Sequence, residues 1–167
     1  MSFMNSKVII NCTYSPLMSL NLFIDPIIAL DSSRDGKWLL ATTDHYLLIY
    51  PTFSGNVDGY KKGIRKTKTG AIRIELPANL LTDAEDEQGF QLLPASFDSS
   101  LETHQKLRVL SAFKSCLLTW TFDTAKRSIK LHKVLNTGSQ ILEIQFVAGR
   151  DDQALVATVE ELRIVKI

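Results

Sequence analysis

Short apolar runs separated by brief polar breaks recur along this chain. In the first copy, Leu39-Leu40-Ala41-Thr42-Thr43 leads through Asp44-His45 to Tyr46-Leu47-Leu48-Ile49-Tyr50. In the second, Val109-Leu110-Ser111-Ala112-Phe113 leads through Lys114-Ser115 to Cys116-Leu117-Leu118-Thr119-Trp120. In the third, Leu155-Val156-Ala157-Thr158-Val159 leads through Glu160-Glu161 to Leu162-Arg163-Ile164-Val165-Lys166. Apolar runs this short, bounded by turn residues, suit strands rather than helices. Repeats of roughly 40–45 residues with several strands each are the mark of β-propeller blades.

Around the first copy the pattern predicts a complete four-stranded unit. Ile28 and Leu30 alternate with Ala29 and Asp31, as in a half-buried strand. Ser32 to Gly36 supplies turn chemistry, with Asp35-Gly36 a strong hairpin signal. Trp38 to Thr43 and Tyr46 to Tyr50 continue an antiparallel meander, which Pro51 ends by removing a backbone donor. Thr52 to Thr69 reads as a long polar loop, and Ala71 to Leu76 as the exposed outer strand, stopped at Pro77. Leu80 to Glu85 is expected to make at most one helical turn.

The second unit is predicted to start with a strand over Phe90 to Phe97, interrupted by Pro94. Leu107 to Phe113, Leu117 to Phe122 and Ser128 to Val134 follow. The third begins at Ile141, turns at Gly149 to Asp152, runs through Ala154 to Val159 and ends after one more strand. The expected fold is therefore all-β: a partial propeller of about two and three-quarter four-stranded blades over residues 27–77, 90–135 and 141–167. They form one domain, 25–167, behind an atypical segment, 1–24. The third blade lacks a fourth strand. Lys7 to Thr13, rich in Val and Ile, is expected to pair with an edge of the sheet array in its own or a partner chain. Two chains would bring together about six blades, within the usual range of closed rings.

Composition narrows the function classes. The chain has 167 residues, 45% hydrophobic and 22% charged, with a formal net charge of +1. No global field recruits nucleic acid or an anionic membrane surface. No run approaches the roughly 18–20 uninterrupted apolar residues of a membrane helix, and polar residues break the N-terminal apolar stretch too often for a signal peptide. Cys12 and Cys116 lack metal spacing and read as reduced interior residues. These features predict a cytoplasmic protein.

Candidate chemistry is sparse. Lys61, Lys62, Arg65, Lys66 and Lys68 gather on a Gly-containing loop, and Arg73 follows on the next strand. Such a set could contact an anion, a phosphate or a phospholipid headgroup; the competing reading is a solvated loop. An acidic stretch from Asp83 to Glu87, with Asp98 and Glu102, could screen it. His45, His104 and His132 have no second ligand at metal spacing, and no nucleophile motif is present. No catalytic, metal or cofactor residue is therefore assigned, and no enzyme activity is expected. Trp38 and Trp120 lie in apolar strands and are expected in the core rather than at a binding rim.

Asp25-Pro26-Ile27-Ile28-Ala29-Leu30-Asp31, Asp35-Gly36-Lys37-Trp38 to Thr43 and Tyr46 to Ile49 together resemble the C-terminal propeller of the vacuolar import and degradation protein 27 family. Arg73 to Leu76, Leu93 to Phe97, Val109 to Phe122 and Leu155 to Thr158 resemble later blocks of that family in the same order. The resemblance covers about Asp25 to Ile167. It implies a WD-repeat-like propeller in a eukaryotic cytoplasmic protein, associated with vacuolar import and degradation. With no catalytic residues to carry over, it points to a protein-binding scaffold of unidentified partner.

Overall fold

The computed structural model describes residues 25–62, 70–81, 91–98, 105–150 and 152–167. The strand expected at Lys7 to Thr13 lies outside the described residues, as do Cys12, His104 and the acidic run Asp83 to Glu87. Two four-stranded antiparallel sheets and one three-stranded sheet follow one another along the chain.

The first sheet joins β1 (Ile27–Ser32), β2 (Trp38–Thr43), β3 (Tyr46–Pro51) and β6 (Ile72–Glu75) in that spatial order. Its first turn closes through Gly36, whose φ of 66° is open to glycine without penalty. The Ser33 amide donates to the Trp38 carbonyl at 2.9 Å across the same turn. At the next turn the Thr43 hydroxyl accepts from the Tyr46 amide and donates to the Tyr46 carbonyl, so one side chain replaces the missing ladder bonds. The loop after Pro51 is more regular than its polar composition suggests. A small hairpin, β4 (Phe53–Ser54) and β5 (Val57–Asp58), turns at Gly55 and runs into a single helical turn, α1 (Gly59–Lys62). Thr52, fully buried, anchors its base: its hydroxyl donates to the Gly36 carbonyl, and its own carbonyl accepts from the Gly59 amide.

A second helical turn, α2 (Ala78–Leu81), follows β6. The second sheet then orders β7 (Ser96–Phe97), β8 (Lys106–Phe113), β9 (Cys116–Asp123) and β10 (Ser128–Asn136) from the inside outward. The strand expected over Phe90 to Phe97 is cut to the two residues Ser96 and Phe97. Before them, Leu92 makes an isolated bridge to Phe113. Pro94 has no amide to donate, so the ladder resumes only beyond it. The third sheet contains β11 (Ile141–Phe146), β12 (Gln153–Thr158) and β13 (Leu162–Lys166). Val159, expected to end a strand, sits in the turn instead. Thr158 plays the part of Thr43 here: its hydroxyl donates to the Glu161 carbonyl and accepts from the Glu160 and Glu161 amides.

Alternation gives each sheet two apolar faces, and neighbouring sheets bury them against each other. Leu40, Leu47, Ile49 and Ile74 of the first sheet meet Val109, Leu118, Trp120 and Phe122 of the second. The opposite face of the second sheet offers Leu110, Ala112 and Leu117 to Ile141, Ala154 and Val156 of the third. The expected core role of the tryptophans is seen directly. Trp38 stands edge-on to Phe122 with ring centroids 4.8 Å apart. Trp120 is buried and donates its indole N–H to the Ser111 hydroxyl at 2.9 Å.

Candidate interaction surface

Each blade presents turns at its ends and an outer strand edge, and among the described residues no further sheet packs on the far face of the first or the third blade. Polar bonds between blades hold these in place. The Ala95 amide donates to the Thr42 hydroxyl at 3.0 Å, and the Phe97 amide to the Asp31 carboxylate at 2.7 Å. The Leu92 amide donates to the Asp44 carbonyl at 2.9 Å. The inner segment of the second blade is thus bonded to the first blade as well as to its own. Between the second and third blades the Ile141 amide donates to the Lys114 carbonyl, and the Arg163 guanidinium to the Thr137 carbonyl.

Of the six cations considered for anion binding, Arg73 is the best defined. It lies on β6, its guanidinium 3.0 Å from the Glu75 carboxylate and 4.0 Å from the centre of the Tyr46 ring. Lys61, in α1, is largely exposed, with its ammonium 4.0 Å from the Asp58 carboxylate. Lys62 ends the same helical turn, while Arg65, Lys66 and Lys68 lie outside the described residues. The described part of the set therefore carries its own acids, Glu75 and Asp58, which a count over residues 61–73 alone does not reveal. His45 sits 2.7 Å from the Asp25 carboxylate. His132 is exposed on β10, and Cys116 is half-buried. Among the described residues no group of His, Cys, Asp or Glu is arranged to hold a metal ion.

A second basic surface is absent from the sequence reading, although its signal is there. No acid occurs from Thr124 to Leu142, a stretch that carries Lys126, Arg127, Lys130 and Lys133. This stretch includes β10, the outer strand of the second blade. Lys133 extends from it to the third blade, where its ammonium donates to the Lys166 carbonyl at 2.8 Å. On β13, the face of the third blade that no other described sheet covers shows Leu162, 65% exposed, and Ile164, 59% exposed. Ile27, Ile28 and Leu30 are partly open on the innermost strand of the first.

No helix among the described residues is long and apolar enough to cross a membrane. None of the curated proteins matches the chain. Among solved structures it is similar to the WD40 domain of SCAP from fission yeast, with a TM-score of 0.55 and 9% sequence identity. That similarity covers 84% of this chain and 31% of the fission yeast one, so the chain spans about a third of the domain it matches. At this identity the likeness concerns the fold: a row of propeller blades. The model of the VID27 C-terminal WD40-like domain matches residues 14–167. With three sheets in blade order and a family match over most of its length, the chain belongs to the VID27 C-terminal WD40-like domain family.

Proposed function

We propose that this protein is a non-catalytic interaction scaffold acting in the cytoplasm of a eukaryotic cell, in vacuolar import and degradation. WD40-like propellers generally bind proteins, and the vacuolar and cytoplasmic parts of the reading rest on the resemblance to the vacuolar import and degradation protein 27 family. The observation that carries the scaffold reading is the set of polar bonds between blades, the buried one from Ala95 to Thr42 above all. They fix the sheets relative to one another, and a surface held rigid before binding loses little entropy when a partner docks. Shape and charge on the blade edges then do the selecting.

The use of Lys61, Lys62, Arg65, Lys66, Lys68 and Arg73 for an anion or phospholipid headgroup has weaker support. Arg73 is already engaged by Glu75 and Tyr46, and Lys61 stands beside Asp58. The scaffold reading is tested by deleting the gene and following the turnover of cytosolic proteins that the vacuole degrades. Slowed turnover, restored by the intact chain, is expected. Turnover at the normal rate overturns the vacuolar role.

A further inference from the structure

We propose that the outer edge of β13 is a docking site for an extended acidic segment of a partner protein, which adds a fourth strand to the third blade. The proposal rests on the scaffold reading and names the chemistry of its partner. The first two sheets each have an outer fourth strand, β6 and β10, while among the described residues β13 pairs only with β12. The Thr158 amide donates to the Glu161 carbonyl and the Ile167 amide to the Asp152 carbonyl. In an antiparallel ladder the residues bonded to one neighbour alternate with those facing the other side. Arg163 and Val165 therefore bond to β12, and Leu162, Ile164 and Lys166 turn their backbone groups to the open edge. Lys133 shows the direction for Lys166, because its ammonium holds that carbonyl from the second blade, which leaves the Lys166 amide and the groups of Leu162 and Ile164 for an added strand.

The charge of the occupant follows from the opposing wall. Between the first and second blades the outer strands turn aliphatic side chains to the shared core: Ile72 from one, Ile129 and Leu131 from the other. On the opposite face of β10, Lys130 pairs with Thr121 and Lys133 with Thr119, so both lysines face the outer part of the third blade. A strand added to β13 has its residues opposite Arg163 and Val165 on that side. Aliphatic residues there would bury two ammonium groups without a counter-charge, a costly arrangement, whereas Asp or Glu neutralises them. Residues opposite Leu162 and Ile164 lie on the far face beside those exposed side chains, where aliphatic groups gain contact. The fitting peptide thus alternates acidic and aliphatic residues. Lys7 to Thr13 contains no acid and carries Lys7, so the chain's own N-terminal segment is a poor match.

The test is fluorescence anisotropy on the full chain with a labelled nonapeptide of alternating Glu and Val. Saturable binding that weakens with added salt is expected. The double change Lys130→Glu and Lys133→Glu is expected to weaken it by at least about ten-fold. Ile164→Pro is expected to abolish it, since the Ile164 amide faces outward and proline there costs no bond to β12. Absence of binding, equal binding of an alternating Lys-Val peptide, or indifference to the lysine changes overturns the proposal. Hydrogen exchange supplies a measurement independent of the variants: the Leu162, Ile164 and Lys166 amides should exchange fast in the free chain and slowly with peptide. Slow exchange in the free chain overturns the proposal too. It assigns the edge to the chain's own segment if the protein sediments as a monomer, or to a second copy if it sediments as a dimer. Failure of peptide binding with the vacuolar turnover defect intact overturns the docking edge and leaves the scaffold reading standing.

Discussion

Single side chains in the turns and between strands carry much of the specificity of this fold. Asp35 accepts from the Ser33 hydroxyl at 2.7 Å and the Lys37 amide at 3.1 Å, with the Lys37 ammonium 3.4 Å away. Burial alone raises its pKa, but the bonds from Ser33 and Lys37 and the lysine charge outweigh it, and the carboxyl sits below the usual value. A depressed folded-state pKa stabilises the fold above the unfolded value, and that contribution is lost as pH falls through the folded one. Thermal midpoints measured across the carboxylate range, from about pH 5 downward, should therefore fall less steeply for Asp35→Asn than for the parent. Parallel acid limbs would refute this. Trp120 and Ser111 make a second residue-scale case. Ser111→Ala leaves the buried indole N–H without its acceptor and should cost about 1–3 kcal/mol in urea unfolding. Adding Trp120→Phe removes the orphaned donor, so the double variant should lose less than the sum of the two single changes. Strict additivity would mean that the bond contributes nothing.

At the scale of elements, the inner segment from Leu92 to Phe97 joins two blades. Its regular part is only β7, yet its amides are bonded to Asp44, Thr42 and Asp31 of the first blade and to Ala112 of the second. Thr42→Val keeps the side-chain shape and removes the hydroxyl that accepts from the Ala95 amide, a buried bond. We expect a loss of about 1–3 kcal/mol, with faster hydrogen exchange at Ala95 than at Val109 in the middle of β8. If exchange at Ala95 is unchanged, the inner segment is held by its packing rather than by this bond.

Across the whole molecule the two interfaces between blades differ in size. The core between the first and second blades includes Trp120, Phe122, Phe113 and Phe97 with many aliphatics; the core between the second and third rests on Leu110, Leu117, Ile141, Val156 and two alanines. In a row of repeats each unit is stabilised by its neighbours, and among the described residues the third blade packs on one neighbour while the second packs on two. The third blade also exposes Leu162 and Ile164 on its far face. Native-state hydrogen exchange should therefore show β11 to β13 opening at lower free energy than β8 and β9. A single opening free energy for all three sheets would mean that they unfold as one unit.

What the sequence by itself determined is local. Alternation marks β1, short apolar runs mark β2 and β3, and Asp35-Gly36 marks their first turn, because such patterns and a positive φ depend on near neighbours alone. The repeated pairing of apolar runs was enough to order the sheets. Other features required tertiary structure, because their causes lie far along the chain. Leu92 and Ala95, just before β7, find partners in the first blade, which no window around Pro94 contains. The hairpin β4–β5 stands on the buried Thr52, so its polar composition misleads. Arg73 looks like one more free cation until β6 is laid beside β3 and brings it over Tyr46. The acid-free run around β10 was visible as composition, but which lysines share a face depends on the ladder with β9, and their place over β13 depends on how two blades pack. Sequence sets the alternation of a strand; only packing decides what each face meets.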